Sequence, residues 1–120
     1  MDERRHEAHV INHVEMRMGS PQYGTLILDG EQFNTSTDRR IDVQSLVWSP
    51  DGRFLAATEV DHEITYPGTR VVVIDADRRL LLTSSPSRSG LSKPLRFKRH
   101  ELIYSHWHYK RGEQELRLSF

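Results

Sequence analysis

Apolar and polar residues alternate with a period of two along much of the chain, in short runs that end at turn-forming residues. Val14, Met16 and Met18 alternate with polar neighbours, as in a strand that buries one face. The apolar run Thr25 to Leu28 ends at Asp29-Gly30, a pair typical of tight hairpin turns. Similar runs follow about every ten residues, and none shows a sustained helical stripe after residue 13. This pattern is typical of an all-β protein.

The runs predict about ten short strands in antiparallel sheets. The predicted strands are residues 13–18, 25–28, 43–48, 54–60, 70–75, 79–84, 95–97, 101–109 and 113–119, with a further short one from Phe33. Residues 34–40, 61–69 and 85–94 read as loops because they are rich in polar, Gly and Pro residues. Residues 1–12 are predicted to be a polar tail or short helix, and residues 13–120 a single β domain.

Two halves of the chain repeat one another with a period in the upper forties. Asp29 and Asp75 each end an apolar strand and are 46 positions apart, and Trp48 and Phe97 are 49 apart. This period is close to the repeat length of propeller blades. The segment Val47 to Ala56, with Trp48-Ser49-Pro50-Asp51-Gly52 at its turn, resembles the first hairpin of a WD-repeat or TolB-type β-propeller blade. The resemblance covers about residues 43–119 and implies blade-like hairpins, without implying a function.

The chain is too short for a closed propeller, which has at least about four blades. Its hairpins must therefore complete a core in another way, and we expect a sandwich-like packing of two sheets or a partial propeller. Self-assembly of several copies into a ring is the alternative. Either arrangement leaves an open strand edge.

Charge is balanced overall but uneven along the chain. The 17 basic and 17 acidic residues of the 120 cancel, which argues against nucleic acid or a membrane surface as the partner. Residues 86–120 nevertheless hold eight basic and only three acidic residues. A basic patch near the C-terminus would face an acidic partner. Cysteine is absent, no signal peptide is recognisable and no apolar run is long enough to span a bilayer, so we expect a cytoplasmic protein.

The motif His106-Trp107-His108 is the strongest candidate for chemistry. Residues two apart on a strand share a face, and two imidazoles so placed can ligate zinc or copper. A third ligand would have to come from His62, His100, Glu101 or Asp61. The simpler interpretation is an exposed polar face of an edge strand with Tyr104 or Trp107 on the other side, and we predict no metal site.

Other catalytic patterns are missing from the sequence. No serine lies in a Gly-x-Ser-x-Gly motif, and no glycine-rich phosphate loop occurs. Asp29, Asp51, Asp75 and Asp77 lie at turns, where Asp binds the local backbone. We therefore predict no catalytic residues, no cofactor and no enzymatic activity.

The remaining hypothesis is a protein that binds another protein, because aromatic residues beside Arg and Lys are enriched where partners dock. The predicted partner-binding residues are Tyr66, Arg96, Lys98, Arg99, Trp107, Tyr109, Lys110 and Arg111. One version is a bacterial immunity protein that neutralises an acidic-surfaced toxin domain, as in a toxin–antitoxin pair. The alternatives are a self-assembling, propeller-like ligand-binding protein and a His-dependent metalloenzyme.

Overall fold

A computed structural model describes residues 5–15, 22–35, 39–61 and 68–120. The predicted site residues Tyr66 and His62, and the alternating Met16 and Met18, lie outside these ranges. The twelve strands are β1 (Ala8–Glu15), β2 (Gln22–Leu28), β3 (Glu31–Gln32), β4 (Arg39–Asp42), β5 (Val47–Trp48), β6 (Phe54–Asp61), β7 (Gly68–Asp75), β8 (Leu80–Ser84), β9 (Arg88–Ser89), β10 (Leu91–Lys98), β11 (Glu101–His108) and β12 (Gly112–Ser119). The described ranges contain no helix, and thus no helix able to cross a membrane.

The strands form two antiparallel sheets. The larger sheet has the order β1-β2-β4-β6-β7-β8, with β3 paired to β2, β5 to β6 and β9 to β7. The smaller sheet is the meander β10-β11-β12, and it packs on β6 and β7 of the larger one. The predicted all-β fold of antiparallel, face-to-face sheets is therefore confirmed, and the described chain closes no propeller.

The hairpin β6–β7 is buried on both faces. Leu55 and Ala57 on β6, with Val72 on β7, belong to one hydrophobic core. The alternate residues Ala56 and Val71 belong to a second core. Successive residues of a strand point to opposite faces, so a strand buried on both sides has an unbroken apolar run. This explains the continuous apolar sequences of β6 and β7.

The first core lies inside the larger sheet, which curls around it. Side chains from β1, β2, β4, β6 and β7 meet there, including Val10, Leu26 and Ile41. The second core lies between the two sheets. Leu102 and Tyr104 of β11 pack there against Val73 and its neighbours on the larger sheet. Polar contacts fix the same interface, where the Thr58 hydroxyl donates to the Ser92 carbonyl at 2.6 Å.

Several predicted boundaries were wrong. Strand β1 begins at Ala8, so part of the segment predicted as a tail or short helix, residues 1–12, is strand. Burial of Val10 in the first core outweighs the polar composition around it. Strand β9, the first two residues of β4 and the start of β10 at Leu91 fall in predicted loops. Residues 43–44 form a turn, where a strand from 43 to 48 was predicted. These elements are short or polar, and only pairing with longer strands defines them.

A buried ion pair closes one end of the first core. Glu59 and Arg70 lie opposite each other on β6 and β7, and the Arg70 Nε donates to Glu59 Oε1 at 2.6 Å. The Glu59 side chain is fully buried and that of Arg70 is 19% exposed. The Thr35 hydroxyl donates to the other carboxylate oxygen, and Arg70 also donates to Ser84. The carboxylate is thus compensated by charge and by hydrogen bonds, as a buried charge requires.

At the other end, His6 joins two turns of the curled sheet. Its Nδ1 contacts Asp29 Oδ2 at 2.6 Å and its Nε2 contacts Asp77 Oδ1 at 2.7 Å. Carboxylates accept hydrogen bonds, so this arrangement favours the imidazolium form of His6, in which both ring nitrogens donate. The ring also stacks on Trp48, with 6.2 Å between centroids. We name this arrangement of His6, Asp29 and Asp77 the His6 clasp.

The His6 clasp is expected to make stability depend on pH. The hydrogen bond to Asp77 raises the pKa of His6 above its ordinary 6.5, against the opposing effect of burial, and Asp29 raises it further. The clasp therefore contributes fully below pH 6.5 and loses its contribution as pH rises through the raised pKa. The melting temperature, measured by thermal unfolding, should fall further between about pH 6 and pH 8 in the unaltered protein than in the His6→Gln variant. His9→Gln is the control, because the exposed His9 makes no ion pair within the described ranges, and an equal effect of both variants would contradict the role of the clasp.

Candidate functional site

The tip of the β11–β12 hairpin is the most exposed aromatic feature that the structure describes. Tyr109, in the turn, is 72% exposed and Trp107, near the end of β11, is 47% exposed. The Arg111 N–H donates to the His108 carbonyl at 3.0 Å, and Gly112 has a φ of +73°, which closes the turn. The turn therefore presents its side chains from a fixed backbone.

Neighbouring side chains hold Tyr109 in place. The His108 ring stacks on it with 4.8 Å between centroids, and the Lys110 Nζ lies 5.6 Å from its ring centroid. On β10, the exposed Leu91 lies directly opposite Trp107 and on the same face. We call the exposed set Leu91, Trp107, Tyr109, Lys110 and Arg111 the hairpin end.

The structure divides the predicted partner-binding residues into two groups. Trp107, Tyr109, Lys110 and Arg111 are together at the hairpin end. Lys98 and Arg99 are at the opposite end of β11, roughly 25 Å away for an eight-residue strand. Arg96 lies between them on β10 and pairs with Glu115 of β12 at 3.2 Å, so its charge is already partly neutralised. The first group combines exposed aromatic and basic side chains at one end of the sheet, whereas Lys98 and Arg99 are basic residues alone.

The simpler interpretation of the His106-Trp107-His108 motif, an exposed face of an edge strand, is wrong for His106. Strand β11 is the central strand of its sheet, and His106 is buried on the inner face, the same face as Tyr104. Its Nε2 donates to the Ser89 carbonyl at 2.8 Å, and the Ser92 hydroxyl lies 2.7 Å from its Nδ1. Both ring nitrogens are therefore engaged, and His106 has no free lone pair for a metal.

His106 instead fastens the two sheets together. The described residues contain no group of three or more His, Asp or Glu side chains placed to hold a metal. Ser92 and His106 touch as a nucleophile and base would, yet Ser92 is buried and the far nitrogen of the ring is occupied by the Ser89 carbonyl. The pair joins β10, β11 and β9.

Beside His106 is a groove of about 310 Å³ between the two sheets. The groove is lined by Arg88, Ser89, His106, His108, Arg111, Gly112 and Gln114. Strand β9 brings Arg88 and Ser89 to it from the larger sheet, and the hairpin supplies the rest. We name it the Arg88–Arg111 groove. Arg88 is not among the residues that the sequence predicts for the site, because residues 85–94 are predicted to be a loop and no local signal places Arg88 beside residue 111.

Strand β12 forms one side of the smaller sheet. Within the described ranges no strand pairs with its outer edge. Its eight residues begin at the hairpin end, with Glu113, Glu115 and Arg117 on one face and Gln114, Leu116 and Leu118 on the other. On that second face the two leucines are partly buried against the second core, and Gln114 is exposed. Charged side chains along an open strand discourage indiscriminate pairing.

Comparison with models of known protein families, with curated proteins and with solved structures yields no match. The resemblance to propeller blades therefore stays a prediction from the sequence.

Proposed function

We propose that this chain is a non-enzymatic protein-binding domain, and that its hairpin end docks a partner with an acidic surface. The observation that carries the proposal is the grouping of two exposed aromatic residues, Trp107 near the end of β11 and Tyr109 in the turn, with Lys110 and Arg111 of the same turn. Trp, Tyr and Arg are the residue types that most often dominate binding energy at protein interfaces.

The aromatic side chains supply the apolar part of this interaction. Tyr109 is stacked against His108 before any partner arrives, so little side-chain entropy is lost on binding. Trp107 and Leu91 add a contiguous apolar area on the outer face of the sheet. Burial of such anchors stabilises a complex by removing apolar surface from water.

The charges specify what the partner presents. Lys110 and Arg111 form no ion pair within the described part of the chain, and Arg88 close by is likewise unpaired there. Unpaired cations attract carboxylates and speed association with an acidic surface. The open edge of β12 begins at the same place and offers backbone groups to an extended partner segment.

A specific version of the proposal is an immunity protein that neutralises a toxin in the bacterial cytoplasm. The absence of cysteine and the antiparallel β scaffold support this version. Co-expression with a toxin domain encoded next to this gene would then restore growth. The competing occupant of the hairpin end is a second copy of this chain, as in the self-assembly alternative, and sedimentation of the purified protein reveals it.

The proposal is tested by the affinity of a captured and purified partner for two variants. Trp107→Ser with Tyr109→Ser is expected to lose about 2 kcal/mol or more of binding free energy, roughly thirtyfold in affinity. Leu80→Ser is the matched control, because Leu80 is 49% exposed on β8 of the other sheet. Equal loss in both variants, or a protein found only as its own oligomer, would contradict docking of a partner at the hairpin end.

A further inference from the structure

The Arg88–Arg111 groove has a consistent electrostatic character. Arg88 and Arg111 line it from opposite sheets, and no carboxylate is among the lining residues. Neither arginine forms an ion pair or a side-chain hydrogen bond within the described ranges. Two unpaired guanidinium groups facing one small space repel each other, and an anion between them removes that repulsion.

The other polar groups of the groove add donors. His108 Nδ1 accepts the Lys110 N–H at 3.1 Å, so the proton of the neutral ring is on Nε2, which can donate. Gln114 contributes an amide, which also donates. His106, in contrast, is fully engaged by Ser89 and Ser92 and serves as part of the wall.

The backbone beneath Arg88 is held firmly. Thr69 pairs with Arg88 across the β7–β9 ladder, and its hydroxyl donates to the Gly90 carbonyl at 2.8 Å. The contact from His106 to the Ser89 carbonyl joins β9 to β11. Arg88 is therefore anchored at its backbone beside the hairpin that carries Arg111. A site whose supports are fixed in advance loses less entropy when a ligand binds.

We propose that the Arg88–Arg111 groove binds the oxyanion group of a small organic anion, a phosphate monoester or a carboxylate. Guanidinium groups bind both kinds of oxyanion through paired, charge-assisted hydrogen bonds. A volume of about 310 Å³ exceeds what a bare ion fills and lies at the lower end of the range for small-molecule sites. The groove binds a small anion and the hairpin end binds a protein, so the two sites have different ligands although Arg111 belongs to both.

The experiment is a titration of the isotope-labelled protein with O-phosphoserine, with succinate and with inorganic phosphate, followed by backbone and side-chain NMR. We expect saturable shifts at Ser89, Gly112 and Gln114. The probe that binds most tightly shows whether the groove recognises a phosphoryl group or a carboxylate. Arg88→Gln and Arg111→Gln should each weaken that binding roughly tenfold or more, because each removes a charge-assisted contact.

Lys98→Gln is the matched control, since it removes the same charge at the far end of the smaller sheet and should leave the affinity unchanged. Absence of saturable shifts at millimolar probe overturns the proposal. So does an equal loss in Lys98→Gln, which would show attraction by overall charge alone. No partner protein is needed, so failure here leaves the proposed docking function untouched.

Discussion

Replacement of Arg70 by methionine is expected to lower the free energy of unfolding by about 3–5 kcal/mol. The change removes the charge-assisted hydrogen bond that the Arg70 Nε donates to the fully buried Glu59 carboxylate. A buried carboxylate keeps little solvation, so the loss of this cationic donor is costly although the Thr35 hydroxyl still donates to the same group. Because domains of this size are stable by only about 5–15 kcal/mol, the urea midpoint should fall steeply.

Two further variants separate loss of the buried pair from other causes. Arg117→Met removes an exposed pair with Glu101 and should cost less than about 1 kcal/mol. The double variant Glu59→Met with Arg70→Met should regain much of the lost stability, because apolar side chains of similar volume can replace a buried pair. If Arg70→Met and Arg117→Met had equal effects, Glu59 would not depend on Arg70.

Gly90→Ala is expected to cost about 2–4 kcal/mol, the second largest effect. A Cβ at this position would lie 2.2 Å from the Trp107 carbonyl oxygen and 3.1 Å from His106 Nε2. Gly90 also has a φ of +109°, which disfavours any residue with a side chain. To make room, β9 must move away from β11, and His106 then loses its bond to the Ser89 carbonyl.

Gly112→Ala provides the comparison for this effect. Gly112 also has a positive φ, +73°, but a Cβ there would meet nothing within 4 Å. That variant should cost only about 1 kcal/mol, from backbone strain. Denaturant unfolding measures both values. Similar losses would mean that β9 and β11 do not approach as closely as the structure has them.

The sequence predicts the strands whose signal is local. The β6–β7 hairpin and the β11–β12 hairpin follow from apolar runs and from the turns that bound them, and each is found close to its predicted place. Asp51 accepts the Arg53 N–H and Asp75 accepts the Arg78 N–H, so the predicted role of Asp in binding turn backbone is confirmed at these positions. Short-range chemistry is readable because each of its partners is near in the chain.

The contacts that build the candidate site are long-range, and no local pattern contains them. Arg88 reaches the hairpin end only because β9 adds two residues to the edge of β7. The burial of His106 cannot be predicted from its neighbours in the sequence, because its partner, the Ser89 carbonyl, is 17 positions away. His6 reaches Asp77 across 71 positions. Aromatic residues next to Arg and Lys predict Trp107, Tyr109, Lys110 and Arg111 as partner-binding residues. Only the fold shows that Lys98 and Arg99 lie at the opposite end of β11.

The double burial of the β6–β7 hairpin also bears on how the molecule comes apart. One face of the hairpin belongs to the first core and the other face to the second. Because both cores need this hairpin, unfolding of one core also exposes apolar residues of the other. Loss of structure should therefore be cooperative across the whole chain, and the two sheets should not behave as separable modules. A shortened chain ending at Ser89 would leave Ala56, Val71 and Val73 facing water, the kind of apolar surface that drives aggregation.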